Sequence, residues 1–211
     1  MSENSAEDMK KKLVASGVQI GTRVKTKFMK PFIIKTETDG TYTMDIDITI
    51  GRIKAAAKFI NRMEPKNVIV CSGSSYPEKP IEKLCDIIGT VKMLGRFMPG
   101  TLTNPALPYY IEPKLVVISD PLTNLQAIRE ATNAGIPVIG IANTDNLTSN
   151  LDVIIPANNK GRKALAATYW YLVREILILQ GKMTEDDTME EDIDSFETKT
   201  TELQSPDVAS V

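Results

Sequence analysis

Four short apolar runs, Val68-Ile69-Val70-Cys71, Leu115-Val116-Val117-Ile118, Val138-Ile139-Gly140-Ile141 and Val153-Ile154-Ile155, recur along the chain with amphipathic stretches between them. Unalternating runs of this length suit strands buried on both faces of a sheet. Segments 80–88 and 122–134 carry apolar residues at helical spacing, the second ending at Gly135, and a last helix is expected over 161–180. Strands and helices in turn predict an α/β fold with a mostly parallel sheet and helices on both faces. Strand order is not readable from the pattern. The last helix is apolar on several sides, through Leu165, Trp170, Leu172, Ile176, Leu177 and Leu179, so it should be largely buried.

Ahead of this alternation, residues 1–6 are polar and 7–16 form a short helix carrying Lys10, Lys11 and Lys12. Segments 32–35 and 41–46 read as a β-hairpin joined through Asp39-Gly40, because Asp-Gly supplies the positive φ of a tight turn. An amphipathic helix over 49–63 stops at Pro65. The 211 residues are enough for one domain with a real core, placed at 17–183 behind an N-terminal extension of 1–16. Beyond Met183 core-forming residues give way to acids. Residues 184–211 hold ten acidic side chains against Lys199, a net of −9, and are predicted to be a disordered acidic tail. Residues 1–183 hold 24 basic and 17 acidic side chains, a net of +7 that the whole-chain value of −2 conceals. Such a body suits phosphate contacts, and equally a solvated lysine surface.

The residue types exclude several chemistries. The chain contains no His, and Cys71 and Cys85 lack CxxC spacing, so both are expected to be buried thiols in a reducing compartment. There is no P-loop string and no Gly-x-Ser-x-Gly elbow. The turn Cys71-Ser72-Gly73-Ser74-Ser75 has a single glycine where a dinucleotide fingerprint needs three. Asp120 and Asp145 follow strands, where a carboxylate pair or magnesium site is conceivable, but Asp120-Pro121 and Thr144-Asp145-Asn146 are also turn and capping sequences. No signal-like apolar segment opens the chain, and the most apolar stretch, 164–179, is short and interrupted by Arg174 and Glu175. A soluble intracellular protein without a cofactor or metal is expected.

Three polar or basic stretches remain as candidates. Pro99-Gly100 and Asn104-Pro105 bracket Thr101, Thr103 and Asn104, a fixed loop whose small hydroxyl and amide groups suit sugar and phosphate oxygens. Ile155-Pro156-Ala157-Asn158-Asn159-Lys160-Gly161-Arg162-Lys163 sets Lys160, Arg162 and Lys163 at a helix start, where the dipole disfavours cations. An external polyanion, RNA above all, would compensate them. Arg23, Lys25, Lys27 and Lys30 roughly alternate with Val24, Phe28 and Met29, as in a nucleic-acid-binding strand or a solvated edge strand.

In order along the chain, Gly17-Val18-Gln19-Ile20-Gly21-Thr22, Met29-Lys30-Pro31-Phe32-Ile33, Asp39-Gly40, Pro99-Gly100-Thr101-Leu102-Thr103-Asn104, Glu112-Pro113, Ser119-Asp120-Pro121, Ala127-Ile128-Arg129-Glu130-Ala131, Ile136-Pro137-Val138 and the string Pro156 to Lys163 strongly resemble the ribosomal protein S2 family of the small subunit. The resemblance covers nearly all of 17–180. It implies a flavodoxin-like three-layer α/β/α sandwich. It also implies a structural place in the cytoplasmic ribosome, contacting small-subunit rRNA and neighbouring ribosomal proteins between head and body, with no enzymatic activity, small-molecule substrate or membrane. Bacterial members insert a long helical hairpin after the Gly-Thr-Leu-Thr-Asn loop. Seven residues separate Asn104 from Glu112 here, as in the archaeal and eukaryotic branch with its laminin-receptor relatives. The chain departs from the family at Gln19, usually His, at Thr36-Glu37-Thr38, often basic, and at Ala164, often Ser. Two other readings compete: a sugar-phosphate-binding domain with its ligand at residues 72–75, and a protein adaptor acting through the acidic tail.

Overall fold

A computed structural model of the chain describes residues 3–184, 187, 189 and 191–199. Helix α1 (Glu3–Ala15) leads into a small antiparallel hairpin of β1 (Ile33–Thr36) and β2 (Tyr42–Met44), followed by α2 (Ile46–Asn61). The main body then runs β3 (Val68–Ser72), α3 (Glu78–Ile88), β4 (Val91–Leu94), β5 (Leu115–Ile118), α4 (Leu125–Asn133), β6 (Val138–Ala142), β7 (Val153–Pro156) and α5 (Arg162–Leu179). A short α6 (Ile193–Phe196) closes the described chain.

The five strands of the body form one parallel sheet in the order β4-β3-β5-β6-β7. Counted within that sheet the order is 2-1-3-4-5, the flavodoxin-like arrangement. Strand alternation splits the core in two. Val68, Val70, Leu115, Val117, Ile139, Ile141 and Ile155 face a layer made by α1, α2, α3 and α5. Ile69, Cys71, Val116, Ile118 and Val138 face Ala127, Ile128 and Ala131 of α4, together with Phe97 and Leu102. Both faces of β3, β5 and β6 are therefore covered, which explains their unbroken apolar runs. Burial pushes the Cys71 thiol up to about 12 and raises that of Cys85, so both are protonated side chains of the core.

Several boundaries differ from the sequence expectation for local reasons. Helix α2 begins three residues early because Asp45 caps it, accepting from the N–H groups of Asp47 at 2.9 Å and Ile48 at 3.4 Å. Helix α4 begins three residues late because Asp120 holds a turn through the Leu122 N–H at 3.0 Å. Strand β4 has no counterpart in the apolar pattern of the sequence. It is an edge strand with exposed Val91 and Lys92, and such a strand needs no apolar run. Residues 23–30 form neither regular strand nor edge but a loop ending in a turn.

The acidic stretch is not uniform. Within the part read as a disordered tail, residues 191–199 lie on the body. Phe196 is fully buried in the α5 core, the Trp170 indole donates to the Glu191 carbonyl at 2.7 Å, and Thr198 donates to the Tyr76 carbonyl at 2.8 Å. One aromatic and a flanking Ile193 supply the apolar area that composition averages away. The same reading at residues 185, 186, 188, 190 and 200–211 lies outside the described residues. Among the described residues, no helix is long and apolar enough to cross a membrane.

Candidate nucleic-acid interface

The 157–163 loop is built inward. The backbone N–H of Asn158 donates to the Val18 carbonyl at 2.9 Å and its side-chain amide to the Gly17 carbonyl at 3.3 Å, tying the loop to the end of α1. Asn159 is buried, and its amide donates to Asn146 Oδ1 at 2.9 Å, Asp120 Oδ1 at 3.2 Å and the Ile141 carbonyl at 3.3 Å. Asp120 and Asn146 thus organise loops, as the turn reading required, and among the described residues no group of His, Cys, Asp and Glu side chains could hold a metal ion. Lys160 forms an ion pair with Asp145. Lys163 is exposed and shares a cleft of about 260 Å³ with Lys12 of α1 and with Asp192, Asp194 and Glu197 around α6. The expectation that an external anion must compensate these cations is therefore corrected for Lys160, whose counter-charge comes from the protein itself. Arg162, half-buried, begins α5.

The loop over 99–104 is a ready-made carboxylate cradle, and its occupant is also internal. Glu130 of α4 accepts from the Gly100 N–H at 2.8 Å, the Leu102 N–H at 3.1 Å, the Thr103 hydroxyl at 3.5 Å and the Gln126 amide at 2.7 Å. Burial acts to raise the Glu130 carboxyl, but these donors outweigh it and hold the group below the usual carboxylate range. Gly100 takes a φ of +90°, which lets its N–H turn toward the carboxylate. Thr101 is buried and donates its hydroxyl to the Met98 carbonyl at 2.6 Å. Asn104 is exposed and accepts from the Ala106 N–H at 3.1 Å. Thr103 and Asn104 are thus the exposed members of this loop, at the edge of a cleft of about 960 Å³ in the case of Thr103.

The 23–30 loop is built outward. Thr26 donates its N–H to the Thr144 carbonyl at 2.9 Å and its hydroxyl to the Asn146 carbonyl at 3.0 Å. Gly21 lies so close to Thr144 and Tyr42 that an added Cβ would stand 2.5 Å from the Thr144 methyl, so only glycine fits. Arg23, Lys25, Lys27 and Lys30 are all exposed. Lys25 stacks over the Tyr42 ring at 4.5 Å. Among the described residues no carboxylate pairs with Arg23, Lys27 or Lys30.

The fold brings two of the three stretches together. Residues 143–146 carry both, holding Thr26 on one side and Asn159 and Lys160 on the other. The 99–104 loop sits apart, on α4 and the opposite face of the sheet. Asp145, Asn146 and Glu130 organise these loops, roles that the sequence alone does not give them, since Asp145-Asn146 reads as a turn and Glu130 only as part of a family string; the contacts that join separate segments span 13 to 120 positions, beyond any local pattern. The ligand loop of the competing sugar-phosphate reading is turned on itself: Ser72 is buried, donates to the Ser74 carbonyl at 2.9 Å and accepts from the Ser74 N–H at 3.2 Å.

The family model for Ribosomal protein S2 matches residues 109–177. The chain is 67% identical over 195 residues to the small ribosomal subunit protein uS2 of Nitrosopumilus maritimus, an alignment spanning 92% of this chain and 94% of that one. It is 55% identical over 197 residues to the protein of the same name from Cenarchaeum symbiosum, covering 93% and 95%. Against the one from Staphylothermus marinus the identity is 46% over 188 residues, covering 89% and 86%.

Proposed function

The chain belongs to the ribosomal protein S2 family, in its archaeal form, and from that premise we propose that it is a structural, non-enzymatic constituent of the small ribosomal subunit that grips rRNA backbone and neighbouring ribosomal proteins where head meets body. The observation that carries the RNA contact is the 21–31 loop, with four cations, no carboxylate, and none of Arg23, Lys27 and Lys30 paired within the described chain. Unpaired cations on a pinned loop suit phosphate neutralisation with release of counterions. Lys163 and Arg162 extend the interface, and Thr103 and Asn104 offer a separate contact on the opposite face of the sheet; Thr101, Asn158 and Asn159 support these contacts by holding their loops. Lys160 contributes through its pair with Asp145.

The test is incorporation. A chain carrying Arg23→Ala, Lys27→Ala and Lys30→Ala is expected to enter small subunits poorly, and increasingly so as salt is raised. The triple change Lys160→Ala, Arg162→Ala and Lys163→Ala should weaken incorporation less. Wild-type incorporation of both variants at every salt concentration would remove the electrostatic grip.

A further inference from the structure

The 21–31 loop displays an aromatic side chain that the fold itself does not use. Phe28 is 56% exposed, while its neighbour Met29 is wholly buried in a small core with Phe32, Met44 and Ala142. The turn between them is not frayed. The Thr26 hydroxyl accepts from the Met29 N–H at 3.3 Å while it donates to the Asn146 carbonyl, so the turn is pinned from both ends and Phe28 is held outward. Lys27 and Lys30, both exposed, flank it on either side.

We propose that Phe28 is a stacking platform for one unpaired RNA base, with Lys27 and Lys30 holding the phosphates on either side of that nucleotide; this rests on the reading of the loop as an RNA contact. A base inside a duplex has both faces covered by its neighbours, whereas a splayed base offers an open π-face to an aromatic ring. The surroundings select RNA over an apolar protein patch. The core of a protein–protein interface is depleted in charged residues, whereas the segment 21–31 that carries Phe28 has four cations and no acid.

The full chain is titrated with a mixed-sequence single-stranded RNA oligonucleotide and with the same strand annealed to its complement. Phe28→Ala is expected to weaken single-strand binding roughly 5- to 150-fold, the equivalent of about 1–3 kcal/mol for one stacked base, and to leave duplex binding unchanged. Phe28→Trp should keep the affinity and show fluorescence quenching with the single strand alone, above the background of the buried Trp170. Phe28→Leu should behave as the alanine variant, because it restores apolar area without a ring face. Full affinity of Phe28→Leu would indicate a simple apolar contact and overturn the proposal. Unchanged affinity of Phe28→Ala, alongside loss in the Arg23, Lys27 and Lys30 triple variant, would overturn the stacking while leaving the backbone grip intact. Failure of the unaltered chain to bind either RNA would sink the RNA reading and the platform with it.

Discussion

Residues 23–30 and 157–163 read alike as sequence, each a short basic stretch beside turn-forming residues, yet the fold uses them in opposite ways. The second turns its polar groups inward: Asn159 spends its amide on Asp120, Asn146 and Ile141, Lys160 pairs with Asp145, and Lys163 looks across a cleft at the acids around α6. The first turns outward, with Thr26 and the buried Met29 tied to the body and Arg23, Lys27, Lys30 and Phe28 exposed. A cation beside a helix start is thus no measure of an external anion until the chain's own carboxylates have been counted. The difference also separates the two roles a basic loop can have, one fixing the architecture of the sheet edge and the other available to a polyanion.

The comparison breaks most sharply at the outward loop. Replacing Arg23, Lys27 and Lys30 with Ala should lower the log-log salt slope of RNA binding by about 2 to 3, a loss on the order of 100-fold at 0.1 M salt if each cation neutralises one phosphate. Stability should move by less than about 0.5 kcal/mol, because the side chains are exposed and unpaired. A large drop in melting temperature with an unchanged salt slope would reverse the assignment of roles.

At the inward loop the order is inverted. Asn159→Ala removes the buried amide that links Asn146, Asp120 and the Ile141 carbonyl and should cost about 2–3 kcal/mol, a fall of roughly 4–12 °C in melting temperature, read by thermal or urea unfolding. Its effect on RNA affinity at a temperature where the variant is folded should be small.

Glu130 adds a third, smaller test of internal compensation. Its folded-state carboxyl lies below the ordinary value of 4.5, so its contribution to stability is present above that pH and is lost as pH falls through the lowered value. Glu130→Gln should cost about 1.5–2 kcal/mol at neutral pH, since an amide presents one oxygen where the carboxylate serves two backbone N–H groups. The stability curve of the variant should be correspondingly flatter in acid. The smallest effect is expected where the exposed Lys160 meets the half-buried Asp145: Lys160→Ala or Asp145→Asn should change stability by about 0.2–1 kcal/mol, with the difference shrinking in high salt. A cost above 2 kcal/mol would mean that the pair holds the loop rather than merely neutralising it.

Much of the architecture was legible before any coordinates. The runs at 68–71, 115–118, 138–141 and 153–155 are strands because a strand buried on both faces must be apolar at every position. Asp39-Gly40 turns the hairpin with Gly40 at a φ of +79°. Strand β4 leaves no mark in the sequence because an edge position imposes no such pattern, and α6 leaves none because one Phe196 and one Ile193 disappear in an acid-rich average.

What the sequence by itself determined, then, was element type, the parallel class of the sheet, the capping turns and the family. Strand order, the destination of each charge and the exposure of Phe28 belong to the tertiary structure alone. Periodicity and turn chemistry act over a few residues and can be read along the chain, but whether a lysine or an amide is satisfied depends on partners 15 positions away for Lys160, 30 for Gly100 and 120 for Thr26. Only folding brings those atoms within reach of one another, and only then is it settled which polar groups remain for something outside.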